Sequence, residues 1–169
     1  MGYGMTVRLD RPFAETAGRA RAALKEQGFG VLTEIDVRAT LREKLGAEME
    51  DYLIIGACNP PLAHRALDID RWIGLLLPCN VVVRADGDAT VVEALDPQVM
   101  VGVTGEPGLT SVADEASRRL AAALEALAGT PHTAAGGARR LAPGLRPGQR
   151  EGRRGRGLEE NDWRGVPDG

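Results

Sequence analysis

The sequence predicts an α+β fold: an antiparallel sheet with helices packed on one face, followed by a disordered C-terminal tail. Three observations carry that expectation. Apolar runs of strand length are interleaved with stretches of helical periodicity. Asp86-Gly87 stands between two valine-rich runs, and Asp-Gly in that setting is a strong hairpin signal, which makes part of the sheet antiparallel. The composition changes abruptly at Gly129.

Taken in chain order, Thr6 to Leu9 alternates around Val7 and Leu9 and reads as a first strand. After Pro12, Phe13, Ala17, Ala20 and Leu24 recur at helical spacing, and Gly28 stands where a left-handed residue would end that helix. Phe29 to Ile35 reads as a second strand. Asp36 is a good N-cap for a short helix with Val37, Leu41 and Leu45 on one stripe, stopped at Gly46. Tyr52 to Cys58 is a continuous apolar run of strand length. Asn59 can cap, and Pro60 open, a helix running to about Asp68.

Gly74 to Arg84 reads as a long apolar strand in which Pro78, lacking an N–H, calls for a bulge or an edge. Thr90 to Leu95 is its hairpin partner. Gly102 to Glu106 reads as a hinge-like connection. Ser111 is expected to cap a last helix carrying Val112, Ala116, Leu120, Ala123 and Leu127, stopped by Gly129 and Pro131.

The chain has 169 residues, 43% hydrophobic and 4% aromatic, which suits one domain with an appendage. The domain is expected over residues 1–128 and the tail over 129–169. The tail holds ten glycines, four prolines and eight arginines with no surviving periodicity, a composition that buries too little to offset its ordering entropy. Its 8 arginines against 5 acidic residues leave residues 1–128 with 13 basic and 19 acidic side chains, or −6. An acidic domain argues against nucleic acid as a partner of the folded surface. Arg153-Arg154-Gly155-Arg156-Gly157 resembles RNA-binding Arg/Gly segments, without their interleaved aromatics.

The longest apolar run, Trp72 to Val83, is twelve residues and interrupted by Gly74, Pro78 and Asn80, too short for a membrane span of about 18–20 residues. Two cysteines make no disulfide scaffold. Together with a start that carries no basic-then-apolar leader, these features point to a soluble, cytoplasmic chain with no membrane partner.

Gly28-Phe29-Gly30-Val31-Leu32-Thr33-Glu34-Ile35-Asp36-Val37, Ile54-Ile55-Gly56-Ala57-Cys58-Asn59-Pro60-Pro61-Leu62-Ala63 and Gly74-Leu75-Leu76-Leu77-Pro78-Cys79-Asn80-Val81-Val82-Val83 resemble the bacterial family called domain of unknown function 302. Asp96-Pro97 and Met100 are similar to that family too. The resemblance covers about residues 3–128. It implies a fold similar to the TATA-box-binding-protein class, in strand-helix-four strands-helix order, with the two middle helices as excursions between strands. A shared fold carries no function with it.

Cys58 ends a strand just ahead of a helix start, where free amides and the helix dipole favour a thiolate. A small buried apolar cysteine is the plainer alternative. Cys79 repeats the Cys-Asn pair twenty-one residues on, and adjacent antiparallel strands would bring the two sulfurs together for redox chemistry or a soft metal, Cu(I) or Zn(II). His64, with Asp68 four residues later, is a third metal-ligand candidate or simply half of a surface ion pair. Asn59 and Asn80 offer amides to a ligand, or serve turns and caps. Glu34 and Asp36 form an acidic pair or one solvated face.

No phosphate loop, nucleophile elbow, zinc helix or dinucleotide fingerprint is present, so the cofactor stays open. The reading is a domain that binds a small molecule or a partner without turnover, in a small polar recess enclosed by Cys58, Asn59, His64, Cys79 and Asn80. Thiol-based redox or metal handling at Cys58 and Cys79 is the alternative. A homodimeric interaction module, resting on the apolar Gly74 to Val83 run, is the third.

Overall fold

The structure, a computed structural model, describes residues 2–129. Residues 130–169 of the expected tail lie outside the described residues. In chain order the elements are β1 (Gly4–Leu9), α1 (Phe13–Glu26), β2 (Gly30–Asp36), α2 (Val37–Leu45), β3 (Tyr52–Cys58) and α3 (Pro60–Ile69). A 3-10 helix (Arg71–Leu76), β4 (Cys79–Asp86), β5 (Ala89–Leu95), α4 (Gln98–Thr104), a short 3-10 turn (Pro107–Leu109) and α5 (Thr110–Ala128) follow. The sheet runs β1-β5-β4-β3-β2 with every neighbouring pair antiparallel. The α+β class and the strand-helix-four strands-helix order are both as expected, with α2 and α3 as excursions.

β1 and β2 occupy opposite edges of the sheet, so α1, which joins them, must cross a sheet face. Alternation sends Ile55, Val81, Val83, Val92 and Ala94 to that face, where all are buried. There they meet Ala17, Ala20 and Leu24 of α1 and Ala116, Leu120 and Leu124 of α5. Each fully buried Val, Leu or Ile contributes about 1.5–3 kcal/mol. Alanines on α1 let the helix sit close to the strands, which is how a chain with few aromatics fills its core tightly.

The local signals act where they were read. Gly28 takes φ 82° after α1, a conformation a Cβ would strain. Asp36 Oδ1 accepts from the Ala39 amide at 2.8 Å and caps α2. Gly87, at φ 64°, turns the two-residue loop between β4 and β5.

Three expectations are corrected. Gly74 to Arg84 is not one strand: Arg71–Leu76 is a 3-10 helix and β4 begins only at Cys79. Pro78 can donate nothing to a ladder, so it stands just before a central strand rather than inside one. α5 begins at Thr110 with no side-chain cap, and Ser111 Oγ instead accepts from Arg65 Nη2 at 3.3 Å. The supposed hinge at Gly102 to Glu106 holds the end of α4, closed by Gly105 in the left-handed region at φ 67°.

Candidate functional site

Cys58 is the last residue of β3 and Cys79 the first of β4. The two strands are adjacent, with Ala57 opposite Cys79 in the register, so the cysteines are diagonal neighbours at one end of the sheet. Both line one recess between the sheet end and the helices above it. Leu62 of α3, Leu77, Met100 of α4 and Val112 of α5 form much of the remaining wall. The cavity measures about 30 Å³, enough for a water or two. None of its lining residues is charged. The recess is therefore apolar, not polar as expected, because strands and helices converge on it with their core-facing side chains.

Burial sets the state of both thiols. It pushes the Cys58 thiol above its ordinary value of 9.0. The Cys79 thiol is pushed up to about 11, first by burial and then by the neighbouring charge Cys58 would carry. The expected thiolate at Cys58 is thus opposed by desolvation, which favours the neutral form, and both thiols stay protonated at neutral pH.

Asn59 is buried. Its Oδ1 accepts from the Leu62 amide at 3.3 Å, and its Nδ2 lies 2.9 Å from where a Cβ on Gly28 would stand. Its Oδ1 is thereby held as the α3 cap, with its Nδ2 close beneath the α1–β2 turn, while its side chain lines the recess. His64 is not brought to the cysteines. It projects into solvent and pairs with Asp68 Oδ2 at 3.1 Å through Nδ1. Asn80 is exposed and one strand position beyond Cys79, so alternation turns it to the other face of the sheet. Among the described residues no three His, Cys, Asp or Glu side chains gather to hold a metal ion, and the Cys58, Cys79, His64 trio is not assembled.

Two wider grooves lie beside α1, β2 and α2, of about 490 Å³ and 480 Å³. They escaped sequence reasoning because their walls form only when α2 folds against β3 and α1 crosses over β2 and β3. Arg21 Nε and Nη2 donate to Glu34 at 2.5 and 3.0 Å, lowering the Glu34 carboxyl below its usual range. Arg38 Nη1 donates to Asp51 at 2.6 Å, and Asp36 is occupied as a cap. These charges answer one another, so the grooves present a ligand with settled ion pairs, and Glu34 and Asp36 are not an acidic pair.

The sequence model of the family described as Domain of unknown function DUF302 matches residues 5–127. The chain belongs to the DUF302 family. The DUF302 fold described above is similar to a solved structure, that of the uncharacterized conserved protein DUF302 from Bacillus stearothermophilus. The two are 33% identical, with a TM-score of 0.70, over 74% of this chain and 98% of that one. No curated protein matches the chain. No described helix of this DUF302 domain is long and apolar enough to cross a membrane.

Proposed function

We propose that the domain binds a small uncharged molecule in the recess beneath α3 and does not turn it over. The observation that carries this reading is that Cys58, Asn59 and Cys79 share one concave apolar site with no charge in its lining. Small-molecule sites are mostly apolar with a few placed polar groups, and a buried ionic ligand would need a countercharge. Protonated thiols and a fixed amide supply polarity without a nucleophile or a base. The ligand class is a compact apolar molecule with at most one weak hydrogen-bonding group.

Xenon and indole are suitable probes, because dry apolar cavities take up apolar atoms and rings. Methyl NMR of the full chain is expected to show saturable shifts at Leu62, Met100 and Val112. Absence of shifts in that set at saturating probe would sink the reading. Thiol titration separates the alternative: inert thiols below pH 9 support binding, whereas a thiolate at neutral pH would replace it with thiol-based redox chemistry at Cys58 and Cys79.

A further inference from the structure

Residues 59–78 leave the sheet at Cys58 and rejoin it at Cys79, two positions side by side on adjacent strands. A segment whose ends are that close can move without deforming the sheet that anchors it. It carries α3 and the 3-10 helix Arg71–Leu76, and it supplies Leu62 and Leu77 to the recess wall. The opposite walls belong to the sheet end, Phe29, α4 and α5. Because the cavity holds little more than a water, anything larger requires one wall to yield.

This segment is anchored by fewer buried side chains than α5: besides the Asn59 cap, Leu67, Leu76 and Leu77 are only partly buried against the core. Leu62 and Ala66 are the buried residues of α3, and Ile73 is the buried residue of the 3-10 helix. Arg65 reaches Glu115 at 3.2 Å and Ser111 at 3.3 Å on α5. His64, Ile69, Trp72 and Leu75 face solvent. α5, by contrast, buries a side chain at every turn from Val112 to Leu127. Shallowly anchored segments open locally at lower free energy than the global fold, and such segments serve as lids over binding sites.

We propose that residues 59–78 are a strap that lifts as a unit from the recess, with Ile73 and the Arg65 contacts to α5 as its latch. The purpose of the strap rests on the ligand-site reading above; its motion does not. Cys79 lies beneath it, 6% exposed, and reports opening directly.

The test is alkylation of the full chain by iodoacetamide at one pH, with the two cysteines read separately by peptide mass spectrometry and global stability followed in parallel by urea unfolding. The expected result is that Cys79 is modified faster than global unfolding allows. Arg65→Ala should then raise its rate about twofold to fivefold, the range of an exposed ion pair. Ile73→Val should raise it about twofold to tenfold, the range of one buried methyl. Hydrogen exchange should show the amides of residues 62–76 opening together before those of α5. Modification of Cys79 only at the rate of global unfolding, or rates in the two variants that track global stability alone, would overturn the strap. Since no ligand enters this experiment, a strap that opens while xenon and indole fail to bind retires the ligand reading and leaves the strap. Binding without opening does the reverse.

Discussion

At the scale of single residues, local chemistry was legible and burial was not. Gly28, Asp36 and Asn59 act through neighbours within a few positions, so their types and spacing were enough to assign them. His64, paired with Asp68 four residues on, follows the local spacing as well; the fates of Cys58 and Cys79 depend on which helices stand over the sheet end, and no local pattern records that. Cys79 yields a pH prediction. Below pH 9.0 its thiol is protonated in folded and unfolded chains alike, and its burial stabilises in full. Between 9.0 and about 11 the unfolded chain releases the proton while the folded chain keeps it, so stability falls as pH rises through that window. The loss attributable to Cys79 is expected to be about 2–3 kcal/mol at about 1.4 kcal/mol per pH unit. Urea unfolding at pH 8, 9, 10 and 11 should show wild type losing that much more than Cys79→Ala; parallel profiles would refute it.

Among elements, legibility followed the strength of punctuation. The β4–β5 turn, β5, α1 and α2 carry explicit stops and starts, and they lie within a residue or two of their expected bounds. The run from Gly74 to Arg84 failed because a short apolar stretch does not distinguish a buried strand from a buried helical turn. Only the missing N–H of Pro78 marks the boundary. α4 was missed because seven residues hold too few turns for periodicity to emerge. α2 gives the prediction at this scale. It buries no side chain fully, so the Asp36 cap, with the Arg38–Asp51 pair and Thr40 donating to Asp36 O, carries much of its order. Asp36→Ala should fray α2 at a local cost of about 1 kcal/mol, whereas Asp36→Asn, which also caps, should preserve it. Backbone NMR shifts of residues 37–45 decide; equal shifts in both variants would move the support of α2 elsewhere.

At the scale of the molecule, the buried core among the described residues is contributed by residues from Leu9 to Leu127. A chain ending at Gly129 is therefore expected to unfold in one transition with stability within about 0.5 kcal/mol of the full chain. A larger loss on calorimetry or urea unfolding would show that residues 130–169 contribute to the fold. The same comparison tests the charge division, since the shortened chain keeps the acidic domain and discards the net positive segment.

The placement of β1 has a consequence for the order of events during synthesis. Gly4 pairs with Leu95 and Leu9 with Thr90, so among the described residues the first strand finds its ladder partner in the last. β3, β4 and β5 are sequence neighbours and zip as a meander, but β1 has nothing to bind until some ninety residues have followed it. Loop-closure entropy makes such a distant pairing slow. On the ribosome the first few residues of this domain must wait until β5 emerges to receive them.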